Sequence, residues 1–198
     1  IKSYPKSKWV DDATINLVQA AQKLTKQGKR EYSVLIQKYD DDSDLELKLV
    51  ALQSLMNMDD ERATAAILDI YESSADNRLK EKALWILADS DDPRAEQKLM
   101  DIVKNDPNPQ LRKKAVFWVG DNADTEEKVK FIYDIILNDK DKDVREQAVH
   151  AIAEADHNLS MIYLKKIAVE HQESNMREKA VFWIGDNAST EADVNFLK

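Results

Sequence analysis

Three side chains in this sequence have the types and spacing of a metal site. His150, Glu154 and His157 stand at i, i+4 and i+7, a spacing that would put two imidazoles and a carboxylate on one face of a continuous helix. Such a triad could hold a divalent ion and support hydrolytic or oxidative chemistry. The equivalent positions elsewhere in the chain carry aromatic, acidic and varied residues, so no second ligand cluster faces the first, and a solvated helix face is the expected outcome. His171 stands apart, at an expected helix end where an imidazolium would suit the dipole. Nucleophile chemistry has less support. The chain has no cysteine, which removes thiol catalysis and Cys-based zinc sites. It also lacks a Gly-x-Ser-x-Gly elbow, a Gly-rich phosphate loop and a dinucleotide fingerprint. Paired acids at Asp11-Asp12, Asp40-Asp41-Asp42 and Asp59-Asp60 read as solvated turns and caps. The chain is expected to be non-enzymatic and to carry no cofactor.

A second pattern has the chemistry of recognition. Aligned on a set of recurring alanines, the position two residues on holds Gln53, Trp85, Phe117, His150 and Phe182, and the next holds Ser54, Ile86, Trp118, Ala151 and Trp183. On a helical wheel these lie at about 200° and 300° from the alanine. The first is opposite the apolar stripe and the second borders it. Trp118 and Trp183 are therefore expected to lean sideways and pack between helices. Trp85, Phe117 and Phe182 either present a surface stripe or are covered by strong curvature. Exposed aromatics anchor protein interfaces, and Asp89, Asp121, Glu154 and Asp186 beside them favour a partner with basic character. The functional expectation is a face that takes a protein or peptide through Trp85, Phe117, Trp118, His150, Phe182, Trp183, Asp89, Asp121 and Asp186.

Those positions are set by an internal repeat. The segments LKEKALWILADS from Leu79, LRKKAVFWVGDN from Leu111, VREQAVHAIAEA from Val144 and MREKAVFWIGDN from Met176 align without gaps, and LKLVALQSLMNM from Leu47 is a fifth copy. Their alanines, Ala51, Ala83, Ala115, Ala148 and Ala180, are 32, 32, 33 and 32 residues apart. Within the copy at Leu111, the apolar positions Leu111, Ala115, Val116, Val119 and Gly120 cover about half the helix circumference. The small residues Ala115 and Gly120 invite close approach of a neighbour. A second helix is predicted before each signature helix, over residues 62–73, 94–105, 126–138 and 158–171. These helices bury Ile67, Leu99, Phe131 and Leu164, each 16 residues after an anchor alanine.

Punctuation fits alternating helices and short turns. Asp124 and Glu127 have capping-box spacing, Pro93 suits a helix start, Pro107 and Pro109 separate two helices, and Asn122 and Asn187 stand where left-handed caps are expected. Residues 11–26 and 29–39 form a weaker helical pair. About five helix pairs are counted from residue 29 to 187, with one helix before and a half-helix after. The domain reading is a capping segment over 1–28 and one continuous solenoid over 29–198.

The signature [VL]-[RK]-x-x-A-[VL], followed by a Gly or Ala and an acidic residue, resembles HEAT repeats, closest to their bacterial lyase-like branch. The resemblance covers about four-fifths of the chain. It implies an all-α fold, a right-handed armadillo-like α-α superhelix that binds proteins on a concave side lined by the signature helices. It also implies an Asp six residues before the signature Arg, bonding between repeats. Asp106 with Arg112 and Asp139 with Arg145 match, whereas His171 before Arg177 and Ser74 before Lys80 interrupt the series. HEAT-type iron hydroxylases use paired His-Glu dipeptides that this chain lacks, and the phycobilin-lyase and DNA-glycosylase branches fit neither its cysteine content nor its charge. The segment YPKSKWVDDA from Tyr4 resembles a tetratricopeptide boundary of bacterial envelope proteins and points toward the periplasm.

Composition agrees with helices. The 198 residues include only 3 Gly and 4 Pro, with 34% charged and 43% hydrophobic side chains. The formal net charge of −9, with no dense basic stripe, disfavours a nucleic-acid partner. No apolar run has the length of a membrane span. The chain begins at Ile1 without Met and stops within a helical pattern, which reads as a trimmed fragment, so the missing signal peptide does not define a compartment.

Overall fold

The computed structural model describes residues 61–198, and among them the backbone is helical with no strand. The elements are α1 (Glu61–Ser73), α2 (Asn77–Ala88), α3 (Pro93–Asn105), α4 (Pro109–Asp121), α5 (Glu126–Asn138), α6 (Lys142–Glu154), α7 (Leu159–Glu170), α8 (Ser174–Asn187) and α9 (Glu191–Phe196). The copy at Leu47, the helical pair over residues 11–39 and the tetratricopeptide-like segment lie outside the described residues. The chain divides into two compact units, residues 1–95 and 96–198.

In the described part of the first unit, α1 packs on α2. Ile67, Tyr71, Leu79, Ala83, Leu84 and Leu87 form the buried seam. Asp76 caps α2 by accepting from the Arg78 amide, and Thr64 Oγ1 reaches Ser90 Oγ at 3.4 Å.

The second unit shows why the repeat folds as it does. The signature helices α4, α6 and α8 pack side by side, α5 and α7 pack against each other in a second layer, and α6 and α8 each pack on the helix that precedes them. Ala115, Ala148 and Ala180 are fully buried, and Leu99, Phe131 and Leu164 are buried, so both predicted registers hold. Gly120 is buried against α6: a methyl group in its place would stand 2.4 Å from Ala151 Cβ. The close approach that the small residues invite is real, and it is specific to this crossing. In α8 the equivalent Gly185 is exposed and Val181 is 45% exposed, because no second signature helix lies over them among the described residues.

An arginine ladder ties successive repeats, with connections that the sequence reading had only partly right. Arg112, Arg145 and Arg177 donate to the backbone carbonyls of Asp106 (3.0 Å), Asp139 (2.7 Å) and His171 (2.7 Å). The acceptor six residues back is the main chain, so His171 does not interrupt the series. The carboxylate comes from the following repeat instead. Arg112 Nε and Nη2 each donate to Asp139 at 2.9 Å, and Arg145 Nη2 donates to Glu173 at 2.8 Å. The side chain of Asp106 accepts from the Asn108 amide.

Three caps differ from expectation. Thr125 rather than Asp124 caps α5, accepting from the Lys128 amide, while Asp124 pairs with Lys128 Nζ at 3.2 Å. Asn122 ends α4 at φ −106 and ψ 19, outside the left-handed region, because its side-chain amide donates to the Trp118 carbonyl and satisfies that end of the helix. Asn187 remains the last residue of α8, its amide donating to Ala153 O of α6 at 2.8 Å. Among the described residues a capping box forms at α9, where Thr190 and Asp193 exchange side-chain bonds.

Candidate functional site

The wheel places the aromatic positions on the outer arc of α4, α6 and α8, and the packing keeps part of them there. Phe182 is 64% exposed and Phe117 43%, more than a core aromatic retains. Each is braced by the tryptophan beside it: Phe117 meets Trp118 edge to face at 5.0 Å between centroids, and Phe182 meets Trp183 at 5.1 Å. Trp183 leans sideways as its wheel angle predicts and meets the His150 ring of α6 at 4.8 Å. Trp118 and Trp183 are both half-buried. Among the second-position residues it is the phenylalanines that face solvent, while the tryptophans hold them. In α2, taken by itself, Trp85 is half-buried and carries Lys82 Nζ 4.0 Å above its ring.

Polar groups lock this face across α6 and α8. Glu146 accepts from Asn175 at 3.0 Å and pairs with Lys179 at 3.2 Å and Lys142 at 3.4 Å. Desolvation pushes the Glu146 carboxyl up, but Lys179 and Asn175 together more than offset it, so its pKa lies below the ordinary value. Glu146 thus remains ionised and keeps the two helices in register.

Across the face, the chemistry is zoned. Reading each helix from its N-terminal end, the residue before the anchor is Lys114 in α4, Gln147 in α6 and Lys179 in α8. The aromatic position follows with Phe117, His150 and Phe182, and the acidic one with Asp121, Glu154 and Asp186. Phe117, Phe182, Asp121, Glu154 and Asp186 are exposed, as is Lys114. In α2 the same order runs Lys82, Trp85, Asp89, with Asp89 exposed. The sequence reading found the aromatic and acidic rows and missed the basic one. Its signal was available, since the position before the anchor lies at about 260° on the same outer arc.

His150, Glu154 and His157 do not assemble on one helix. His150 Nε2 and Glu154 Oε1 are 4.0 Å apart, but α6 ends at Glu154 and Ala155 is extended. His157 falls in the following turn, where its Nδ1 accepts from the Leu159 amide at 3.1 Å. Among the described residues no three His, Asp or Glu side chains converge in a manner that could hold an ion. His171 sits at the end of α7, with Nδ1 accepting from the Glu173 amide and Nε2 3.4 Å from Ile136 O. It acts as a hydrogen-bonding post between repeats. Among the described residues no helix is long and apolar enough to cross a membrane.

A search of curated proteins finds no match. Residues 32–107 and 96–185, however, match the family described as HEAT repeats. Together these segments span well over half of the chain, and the paired helices, buried alanine register and inter-repeat ladder of the described residues are what a stack of such repeats requires. The chain belongs to the HEAT-repeat family.

Proposed function

We propose that this chain is a protein-interaction scaffold that takes its partner on the outer arc of α4, α6 and α8, the concave side expected of HEAT repeats. The observation that carries the reading is the exposure of Phe117 and Phe182, held in fixed orientation by Trp118 and Trp183. A large aromatic left in water gains when a partner covers it, and pre-ordered aromatics lose little entropy on binding. The row of Asp121, Glu154 and Asp186 favours a partner segment with basic residues on that side and works against a phosphate backbone. Among the described residues the His150–Glu154 pair has no third ligand beside it, and the Gly-Asp-Asn segments at Gly120 and Gly185 are helix ends.

Replacing Phe117 and Phe182 together with serine tests the proposal. Both are exposed, so the double variant should keep its melting temperature within a few degrees, each change costing about 0.5 kcal/mol or less. Partner capture from lysate of the source organism, read by mass spectrometry, should be lost. Undiminished capture, or a large loss of stability, would overturn the reading.

A further inference from the structure

We infer that the partner docks through two cationic side chains, lysine or arginine, one lodged on Phe182 with its head at Asp186 and the other on Phe117 with its head at Asp121. The inference rests on the interaction reading above and adds the chemistry of the bound segment. In α4 and α8 the aromatic residue and the carboxylate stand at i and i+4, neighbours on one helix face. A long basic side chain suits such a pair, because its stem covers an apolar ring while its head reaches a carboxylate. Phe117, Asp121, Phe182 and Asp186 are all exposed. Among the described residues neither Asp121 nor Asp186 has a side-chain partner.

The repeat itself places a cation at this position. In α2, taken by itself, the aromatic residue is Trp85, and Lys82, three residues earlier, holds its ammonium 4.0 Å above the ring. Lys179 stands three residues before Phe182 in α8, but it is drawn to Glu146 of α6 at 3.2 Å, in the contact that ties the two helices. Phe182 therefore stays uncovered, and the place of the cation is left to a partner. In α6 the slot is closed from within, since His150 meets the Trp183 ring and its Nε2 lies 4.0 Å from Glu154. Among the described residues of the second unit two slots remain, with α6 between them. Packed helices lie about 8–10 Å apart, so the two cations of the partner are about 16–20 Å apart. The carboxylates set the sign: an acidic segment would meet like charge at Asp121, Glu154 and Asp186.

Titration of the isotope-labelled chain with short peptides at low salt, read by nuclear magnetic resonance, provides the test. The probe carries two arginines joined by a Gly/Ser spacer of about twelve residues, whose root-mean-square span is about 19 Å. One control carries a single arginine, and another carries two citrullines, which keep the shape of arginine without its charge. The two-arginine peptide should shift the amide signals of residues 117–121 and 182–186. It should bind roughly threefold or more tighter than the one-arginine peptide, because the second contact becomes intramolecular. The citrulline peptide should leave the signals unmoved. Phe182→Leu removes the ring and keeps an apolar side chain, while Asp186→Asn removes the charge and keeps the shape. Each should bring the two-arginine peptide down to the affinity of the one-arginine peptide, with helical circular dichroism unchanged. Citrulline binding equal to arginine, shifts located elsewhere on the chain, or no binding would overturn the inference. If capture of the natural partner requires Phe117 and Phe182 but is indifferent to Asp121→Asn with Asp186→Asn, the cationic assignment alone fails. If capture is indifferent to the phenylalanines as well, the interaction reading fails with it.

Discussion

Replacing Asp139 with alanine should destabilise the protein by about 3–5 kcal/mol, the cost of leaving a buried charge without its partner. Arg112 is 2% exposed and the Asp139 side chain 6%, so neither is hydrated to any useful extent. Their two bonds at 2.9 Å form a bidentate clamp from α4 to the turn after α5. Asp139 also accepts from the Asp141 amide at 2.8 Å, which shapes the entry to α6. Without the carboxylate, Arg112 keeps only the carbonyls of Asp106 and Pro107. Urea titration should show the loss, and the melting temperature should fall by about 10 °C. Removing both charges with Arg112→Met and Asp139→Leu should cost clearly less than Asp139→Ala alone, because no charge then stays buried.

The same pair gives the pH dependence its sign. Desolvation raises the Asp139 pKa, but the Arg112 hydrogen bonds, the Asp141 amide and the guanidinium charge prevail, leaving it below 3.8. A carboxyl depressed in the folded state contributes stability that is fully present above its unfolded pKa, near pH 4, and is lost as pH falls through the folded value. The acid limb of a stability profile should therefore be shallower in Asp139→Ala than in the parent. Equal stability of the two proteins, or parallel acid limbs, would show that the clamp contributes nothing.

What could be read in advance follows from which interactions are local in sequence. Among the described residues, the limits of the helices expected over 62–73, 94–105, 126–138 and 158–171 came within a residue or two, and Ala83, Ala115, Ala148 and Ala180 are buried as placed, together with Ile67, Leu99, Phe131 and Leu164, because a 3.6-residue period and a fixed repeat length are written into the chain. The arginine ladder was half legible. Its six-residue spacing to a carbonyl is visible, but the pairing of Arg112 with Asp139, 27 residues away, exists only once repeats stack. Caps failed where two good candidates were adjacent. Thr125 and Thr190 occupy the same place in their repeats, yet the residue three further on is Lys128 in one and Asp193 in the other, so only the second can form a reciprocal box. The i, i+4, i+7 spacing of His150, Glu154 and His157 does not make one helix face, because the helix stops at Glu154. Among the aromatics, wheel angle ordered Trp183 correctly but could not show that the phenylalanines would remain uncovered, since that depends on how closely neighbouring helices approach.

That closeness is measurable at the two signature-helix glycines. Gly120→Ala should cost about 1–3 kcal/mol, even though alanine is favoured over glycine inside a helix by about 1 kcal/mol. The new methyl would stand 2.4 Å from Ala151 Cβ and 3.0 Å from its Cα, so α4 and α6 must separate and the contacts flanking the crossing loosen. Gly185→Ala, the same change at the same place in the repeat, meets only Leu197 Cδ1 at 3.8 Å, so the helix preference should stand and stability should rise by about 0.5–1 kcal/mol. Opposite signs for one chemical change would assign the effect to inter-repeat packing, because helix propensity is common to both. Combining Gly120→Ala with Ala151→Gly moves the methyl to the other side of the crossing, balances the propensity terms, and should restore nearly the parental midpoint in urea. If Gly120→Ala stabilises as Gly185→Ala does, or if the double variant fails to recover, the repeats do not stack through this contact.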